Sequence, residues 1–108
     1  PDYEELIFVC GQKILREKPD VVKGFVTAIE KAFAYTKADP DDALATYLSA
    51  VPQADKNIET KAFELTRPYF AVKSGHNIVK WQAFADFALE YGLIKNKVDA
   101  AMLIHNWK

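Results

Sequence analysis

Residues 19–42 read PDVVKGFVTAIEKAFAYTKADPDD, and they predict one complete helix followed by the start of a second. Pro19 suits the first position of a helix, because the N–H that proline lacks would have no partner there. Asp39 and Pro40 repeat this pattern as the N-cap and first position of the next helix. Apolar residues recur at steps of three and four along the first helix: Val22, Phe25, Val26, Ile29 and Phe33. This spacing predicts an amphipathic helix.

The helical pattern continues on both sides of this stretch. Upstream, residues 12–18 allow about two turns, with Ile14 and Leu15 facing inward. Downstream, the predicted helices are residues 40–51, a helix from about 57 to 67, residues 78–91, and a short last helix over residues 98–104. Gly92 followed by Leu93 predicts a left-handed cap at the end of the helix over residues 78–91. A loop is predicted over residues 71–77, which contain Ser74 and Gly75.

The helix that begins near Asn57 has a clear apolar stripe in its sequence. The residues at helical spacing are Ile58, Ala62, Leu65 and Tyr69. Charged residues lie between them, and we expect these to face water. The stripe is therefore predicted to be the buried face of the helix.

Before the first helix, Leu6–Cys10 reads LIFVC and predicts a short buried strand. No second strand is evident, because Val72 and its neighbours form too short a run. The fold class is therefore mostly α with one N-terminal strand. A lone strand needs a hydrogen-bonding partner, so we expect one from chain that precedes Pro1 or from another molecule. The absence of an initiator Met before Pro1 also suggests a piece of a longer protein.

The composition excludes several classes of protein. The chain has 108 residues, 14 Lys plus Arg against 15 Asp plus Glu, and a net charge of −1. This balance argues against a nucleic-acid partner, because binding to the phosphate backbone depends on clustered cations. No apolar run has the roughly 18 residues that a membrane helix needs. No secretion signal is visible either.

The residues with chemical potential are few. Cys10 is the only cysteine, and it is interpreted as a small buried apolar residue. His76 and His105 match no zinc spacing, so they are interpreted as an exposed loop residue and an exposed tail residue. The acidic run at Asp39 is attributed to the helix start. Trp81 is the aromatic residue best placed for a ligand cleft, although packing is the simpler role. We therefore predict no catalytic residue, no metal and no cofactor.

Three stretches in register resemble a known family. They are YEELIFVC at residues 3–10; KPDVVKGF at 18–25, continuing through AFAY at 32–35 to DPDDA at 39–43; and WQ at 81–82, continuing through DF at 86–87, EYGLI at 90–94 and VD at 98–99 to HN at 105–106. Together they are similar to the C-terminal portion of the NMT1/THI5-like family. This family includes ABC-transporter substrate-binding proteins for thiamine-pyrimidine precursors, taurine, alkanesulfonates and nitrate. Lys18 and Cys10 depart from the residues usual in that family.

The resemblance implies a two-lobed α/β fold of the periplasmic-binding-protein type II class, of which residues 1–108 would form the C-terminal third. It implies a non-enzymatic solute-binding component of an ABC importer, periplasmic or extracellular and associated with the membrane. Its partners would be a small-molecule ligand and an ABC permease. The ligand contacts would lie mostly upstream of Pro1. Two alternatives stay open: part of a thiamine-pyrimidine synthase of the same fold, and a free-standing helical interaction domain.

Overall fold

The computed structural model describes residues 3–71 and 73–107, and in them the chain is mostly helical. The helices are α1 (Gln12–Glu17), α2 (Pro19–Ala38), α3 (Pro40–Ala50), α4 (Lys56–Thr66) and α5 (Ile78–Glu90). Two single 3₁₀ turns cover Arg67–Tyr69 and Ala100–Met102. The contacts divide the chain into two compact units. The first unit combines residues 3–19 with residues 74–107, and the second is Asp20–Lys73.

The starts of α2 and α3 confirm the predicted signals. Pro19 and Pro40 are the first residues of α2 and α3. The side chain of Asp39 caps α3 by accepting a hydrogen bond from the backbone N–H of Asp42 at 3.2 Å. Asp55 caps α4 in the same way, accepting from the N–H groups of Asn57 and Ile58. These side chains bind N–H groups that have no partner within the helix.

The prediction of a strand at Leu6–Cys10 is wrong for this chain. No strand is found in the described residues, and residues 7–10 have no regular secondary structure. Leu6 is 93% exposed and Val9 is 84% exposed, so this apolar segment is not buried. A strand exists only when a second strand supplies its hydrogen bonds, and no described segment does so. Val72, the other residue considered for a strand, lies outside the described residues.

The predicted buried face of α4 is also wrong. Ile58 and Leu65 of α4 are 66% and 61% exposed, and Tyr69, in the 3₁₀ turn that follows the helix, is 87% exposed. The half-buried aromatic residue of the helix is Phe63, whose ring centroid lies 6.1 Å from that of Phe70. Helical periodicity shows which residues share a stripe, but neighbouring elements determine which stripe is covered.

The first unit keeps more of its predicted features. Gly92 has a φ of +70°, as predicted for the residue after α5. Its N–H bonds to the carbonyl of Leu89, and the N–H of Leu93 bonds to that of Ala88, which is the Schellman pattern. The last predicted helix is reduced to the 3₁₀ turn at Ala100–Met102, capped by Asp99. One turn has too few internal bonds to extend without packing, and Met102 is exposed.

The hydrophobic core is small. Among the described residues, only Ala88 and Ala100 are buried apolar residues, at 6% and 3% exposure. The chain exposes 9010 Å² of surface, whereas a compact monomer of its mass, 12.2 kDa, would expose about 6,000 Å². Two separate compact bodies of half that mass would together expose only about 7,300 Å². Large apolar side chains are among the exposed residues, and Leu6 and Tyr69 are 93% and 87% exposed.

No helix in the described part of the chain has both the length and the apolar character needed to cross a bilayer.

Candidate functional site

Helix α5 presents a row of aromatic side chains in the first unit. The ring centroids of Trp81 and Phe84 are 6.3 Å apart, and those of Phe84 and Phe87 are 6.5 Å apart. Tyr3, from the N-terminal segment, stacks on Phe84 at 5.0 Å. The side chain of Asn77 fixes the start of the helix by accepting hydrogen bonds from the first-turn N–H groups. The row therefore stands on a helix with a defined beginning, and the N-terminal segment packs against it.

A polar cluster lies at the start of this row. The Glu4 carboxylate is hydrogen-bonded through Oε2 to His76 Nδ1. The same oxygen accepts a hydrogen bond from Trp81 Nε1 at 3.2 Å. The His76 ring stands edge-on to Trp81, with the centroids 6.0 Å apart and the planes at 85°. Glu4 and His76 are 72 positions apart in the sequence, so only the folded chain brings them together.

The backbone of His76 is held separately from its ring. Asn106 Oδ1 accepts a hydrogen bond from the His76 N–H at 2.8 Å, and Asn106 Nδ2 donates to the His76 carbonyl at 2.9 Å. Gly75 precedes this residue with a φ of +116°, a backbone conformation that residues other than glycine rarely adopt. The C-terminal tail and the N-terminal segment therefore both fix one histidine.

A small groove adjoins the cluster. It is lined by Tyr3, Glu4, Lys80, Trp81 and Phe84, and its volume is about 60 Å³. A ligand site for a small molecule usually encloses about 300 Å³ or more. The groove is therefore at most one wall of such a site.

Gln82 joins α5 to the segment that follows it. Its Nε2 donates to the carbonyl of Val98 at 3.0 Å, and its Oε1 accepts from the N–H of Ala100 at 2.9 Å. Its Nε2 also donates to Asp86 at 2.9 Å. These bonds hold the 3₁₀ turn against the helix that carries the aromatic row.

The residues considered from the sequence have different outcomes. Cys10 is exposed, so its interpretation as a buried apolar residue is wrong. His105 is exposed and lies edge-on to Trp107, with centroids 4.4 Å apart. His76, interpreted as an exposed loop residue, is instead 29% exposed and belongs to the polar cluster. Trp81 packs against aromatic rings and also lines the groove.

The acidic run at the start of α3 has structural roles. Asp39 caps the helix, and Asp42 accepts a hydrogen bond from the hydroxyl of Tyr35. That bond raises the pKa of Tyr35 above its usual value of 10.0, with smaller contributions from desolvation and from the charges of Asp42 and Asp39. In the described part of the chain, no group of three or more His, Cys, Asp or Glu side chains is arranged to hold a metal ion.

No local signal in the sequence points to the polar cluster. Glu4, Trp81 and Asn106 belong to the stretches that carry the family resemblance, whereas His76 lies in the predicted loop between them. The partners come from three separated segments, and no spacing rule connects them.

The family model described as NMT1/THI5 like matches residues 1–43. The resemblance to this family inferred from the sequence is thereby confirmed, and the family is linked to thiamine-pyrimidine biosynthesis. No solved structure gave a significant match.

Two kinds of relative are similar to the chain. A 4-amino-5-hydroxymethyl-2-methylpyrimidine phosphate synthase of Saccharomyces cerevisiae is 30% identical over 66 residues, which cover 61% of this chain and 19% of that protein. A synthase of the same name from Candida albicans is 32% identical over 66 residues, covering 61% of the chain and 20% of that protein. A putative thiamine biosynthesis protein of Haemophilus influenzae is 30% identical over 96 residues, covering 87% of the chain and 30% of that protein.

These matches correct one expectation. The family resemblance predicts a protein without enzymatic activity, whereas relatives from two yeasts and from Legionella pneumophila are named as synthases. The matches span only about a fifth to a third of the relatives' own lengths. None of these three relatives is named as a component of a transporter, so the interpretation of the chain as part of an importer is not confirmed.

Proposed function

We propose that the chain is a C-terminal portion of an enzyme that makes 4-amino-5-hydroxymethyl-2-methylpyrimidine phosphate. The observation that carries the proposal is the similarity to synthases of this name in three organisms. The family resemblance left this synthase function open as an alternative to the importer. The remainder of the intact protein would supply most of the substrate contacts.

The uncovered surface supports the placement of residues 1–108 in a longer protein with a two-lobed fold. The chain exposes 9010 Å², about 1,700 Å² more than two separate compact bodies of the same total mass. An excess of this size is comparable to the area buried in a stable interface. In the proposed intact protein, Leu6–Cys10 joins the edge of a sheet from the other part of the chain. The exposed stripe of α4 is covered by the same part.

The decisive experiment is a product assay on the intact protein. The purified protein is incubated with candidate substrates, and the pyrimidine phosphate is detected by mass spectrometry. A parallel test asks whether its gene restores growth without thiamine to a strain that lacks this synthase. Product formation and growth are the expected results. Binding of a free pyrimidine without turnover, by a protein exported from the cytoplasm, would instead favour the importer with its permease partner.

Hydrogen exchange tests the proposed sheet contact. In the intact protein, the amides of Leu6–Cys10 are expected to exchange far more slowly than in the 108-residue chain, because paired backbone groups are protected. The amides of Asn77–Lys80 at the start of α5 serve as the internal reference. Equal exchange of Leu6–Cys10 in the two proteins would contradict the placement.

A further inference from the structure

We infer that Glu4, Trp81 and Asn106 hold His76 as an oriented base, whose Nε2 accepts a proton from a hydroxyl or ammonium group of a small polar substrate. The inference rests on the proposed function, because the test of catalysis requires an active synthase. The orientation of the imidazole can be tested independently of any activity.

The hydrogen bond to Glu4 selects one form of the neutral ring. An ionised carboxylate has only acceptors, so His76 Nδ1 must carry the proton that it shares with Glu4 Oε2. A neutral imidazole has a single N–H group, and Nε2 therefore keeps its lone pair. Carboxylates that bind Nδ1 set the histidine tautomer in the same way in hydrolase triads and around bound metals.

The surrounding contacts restrict the position of the ring as well as its tautomer. Glu4 is itself held by the indole N–H of Trp81 at 3.2 Å. The backbone of His76 is bound on both its N–H and its carbonyl by Asn106. Different partners therefore fix the ring and the backbone of the same residue. Such preorganisation is what proton transfer at a defined atom requires.

The location suits contact with a substrate. The His76 side chain is 29% exposed, so it is neither sealed in a core nor fully solvated. His76 does not itself line the groove of about 60 Å³, but Glu4, which is hydrogen-bonded to its ring, and Trp81, which packs edge-on to it, both do. A substrate in a complete site built on this wall would lie close to the imidazole.

The proton balance is simple. The lone pair of His76 Nε2 forms the new N–H bond, and the oxygen or nitrogen of the substrate keeps the electron pair of the bond that breaks. The imidazolium that results lies beside the negative carboxylate of Glu4, which stabilises its charge. The proton leaves again when the ring returns it to a later intermediate or to water.

Nuclear magnetic resonance of the intact protein, labelled with ¹⁵N-histidine, tests the orientation. The His76 signals are assigned by their loss in H76Q. At a pH where the ring is neutral, we expect Nδ1 to be protonated and Nε2 to be unprotonated. E4Q is expected to move the population towards the Nε2–H form, E4D to retain the wild-type form, and the signals of His105 to stay unchanged. An Nε2–H form in the wild type, or no response to E4Q, would overturn the inference.

Turnover of the intact enzyme tests the catalytic role. We expect H76Q to lower kcat about 100-fold or more, while H105Q leaves it unchanged. An H76Q enzyme that is folded by circular dichroism and fully active would show that the cluster only fastens the N-terminal segment. If the wild-type protein forms no pyrimidine phosphate, the proposed function fails, and the tautomer measurement alone decides the orientation of His76.

Discussion

The side chain of Asn106 forms two hydrogen bonds with the backbone of His76, one as acceptor at 2.8 Å and one as donor at 2.9 Å. The two residues are 30 positions apart, and the contact closes the C-terminal tail onto the start of α5. The same histidine is bound through its ring by Glu4. Residues near both ends of the described chain, Glu4 and Asn106, are therefore hydrogen-bonded to His76 in the loop before α5.

Replacement of Asn106 tests the importance of this contact. N106A removes both hydrogen bonds, and we expect the free energy of unfolding to fall by roughly 1 to 2 kcal/mol. The loss is limited because the His76 backbone groups can bind water instead. N96A, at an exposed asparagine in the loop after α5, is the matched control. Urea unfolding followed by far-ultraviolet circular dichroism measures both, and equal stability of the two variants would contradict the role of Asn106.

A larger effect is expected at Gln82. Its amide satisfies the carbonyl of Val98 and the N–H of Ala100, and Ala100 is only 3% exposed. Q82A leaves these backbone groups without partners, which typically costs about 1 to 3 kcal/mol. Q82E is expected to be equally harmful, because a carboxylate cannot donate to the Val98 carbonyl.

The control for Gln82 is Q53A, at an exposed glutamine outside any helix. It is expected to change the free energy of unfolding by no more than about 0.5 kcal/mol. Thermal unfolding of the three variants compares them directly. A Q82E protein as stable as the wild type would rule out the paired hydrogen bonds.

Two glycines are expected to respond to alanine with opposite signs. Gly92 has a φ of +70°, where a Cβ atom is strained. G92A should therefore destabilise the protein by roughly 1 to 2 kcal/mol. Gly24 lies inside α2, and a Cβ built there meets nothing within 4 Å. G24A should stabilise by roughly 0.5 to 1 kcal/mol, because alanine loses less backbone entropy in a helix. Chemical denaturation measures both, and effects of the same sign would contradict the assigned backbone conformations.

The ionisation of Tyr35 should respond to Asp42. The hydrogen bond to Asp42 favours the protonated phenol, and this raises the pKa of Tyr35 above 10.0. In a D42N variant the pKa should move back towards that value. Asp41 does not contribute to the shift, so D41N serves as the control. The titration is followed by NMR of ¹³C-labelled tyrosine, and an equal response to D41N and D42N would disprove the assignment.

The same shift has a defined effect on stability. Because the pKa is raised in the folded state, the stabilisation is complete below the pKa of the unfolded tyrosine. It is lost as the pH rises through the higher pKa of the folded state. The difference in stability between the wild type and Y35F is therefore expected to shrink only at strongly alkaline pH.

Much of the helical structure was predictable because its signals are local. Pro19, Asp39 and Pro40 mark helix starts by the backbone groups that they cap or lack, and Gly92 marks an end by its access to positive φ. These features depend only on neighbours within a turn or two.

The errors share a different cause. The stripe of α4 that begins at Ile58 and the apolar segment that begins at Leu6 are exposed, although their sequences favour burial. Burial requires a partner surface, and the described residues of this chain do not supply one. That a strand at Leu6–Cys10 pairs with additional polypeptide stays a prediction.

The sequence alone predicts α1–α5, their capped ends and the family resemblance, since these depend on residues close together along the chain. Only the tertiary structure brought Glu4 to His76 across 72 positions and placed Asn106 on the backbone of that histidine. Such contacts depend on how distant segments pack, and no periodicity encodes them. For that reason His76 looked like an ordinary loop residue in the sequence and became the centre of the candidate site in the folded chain.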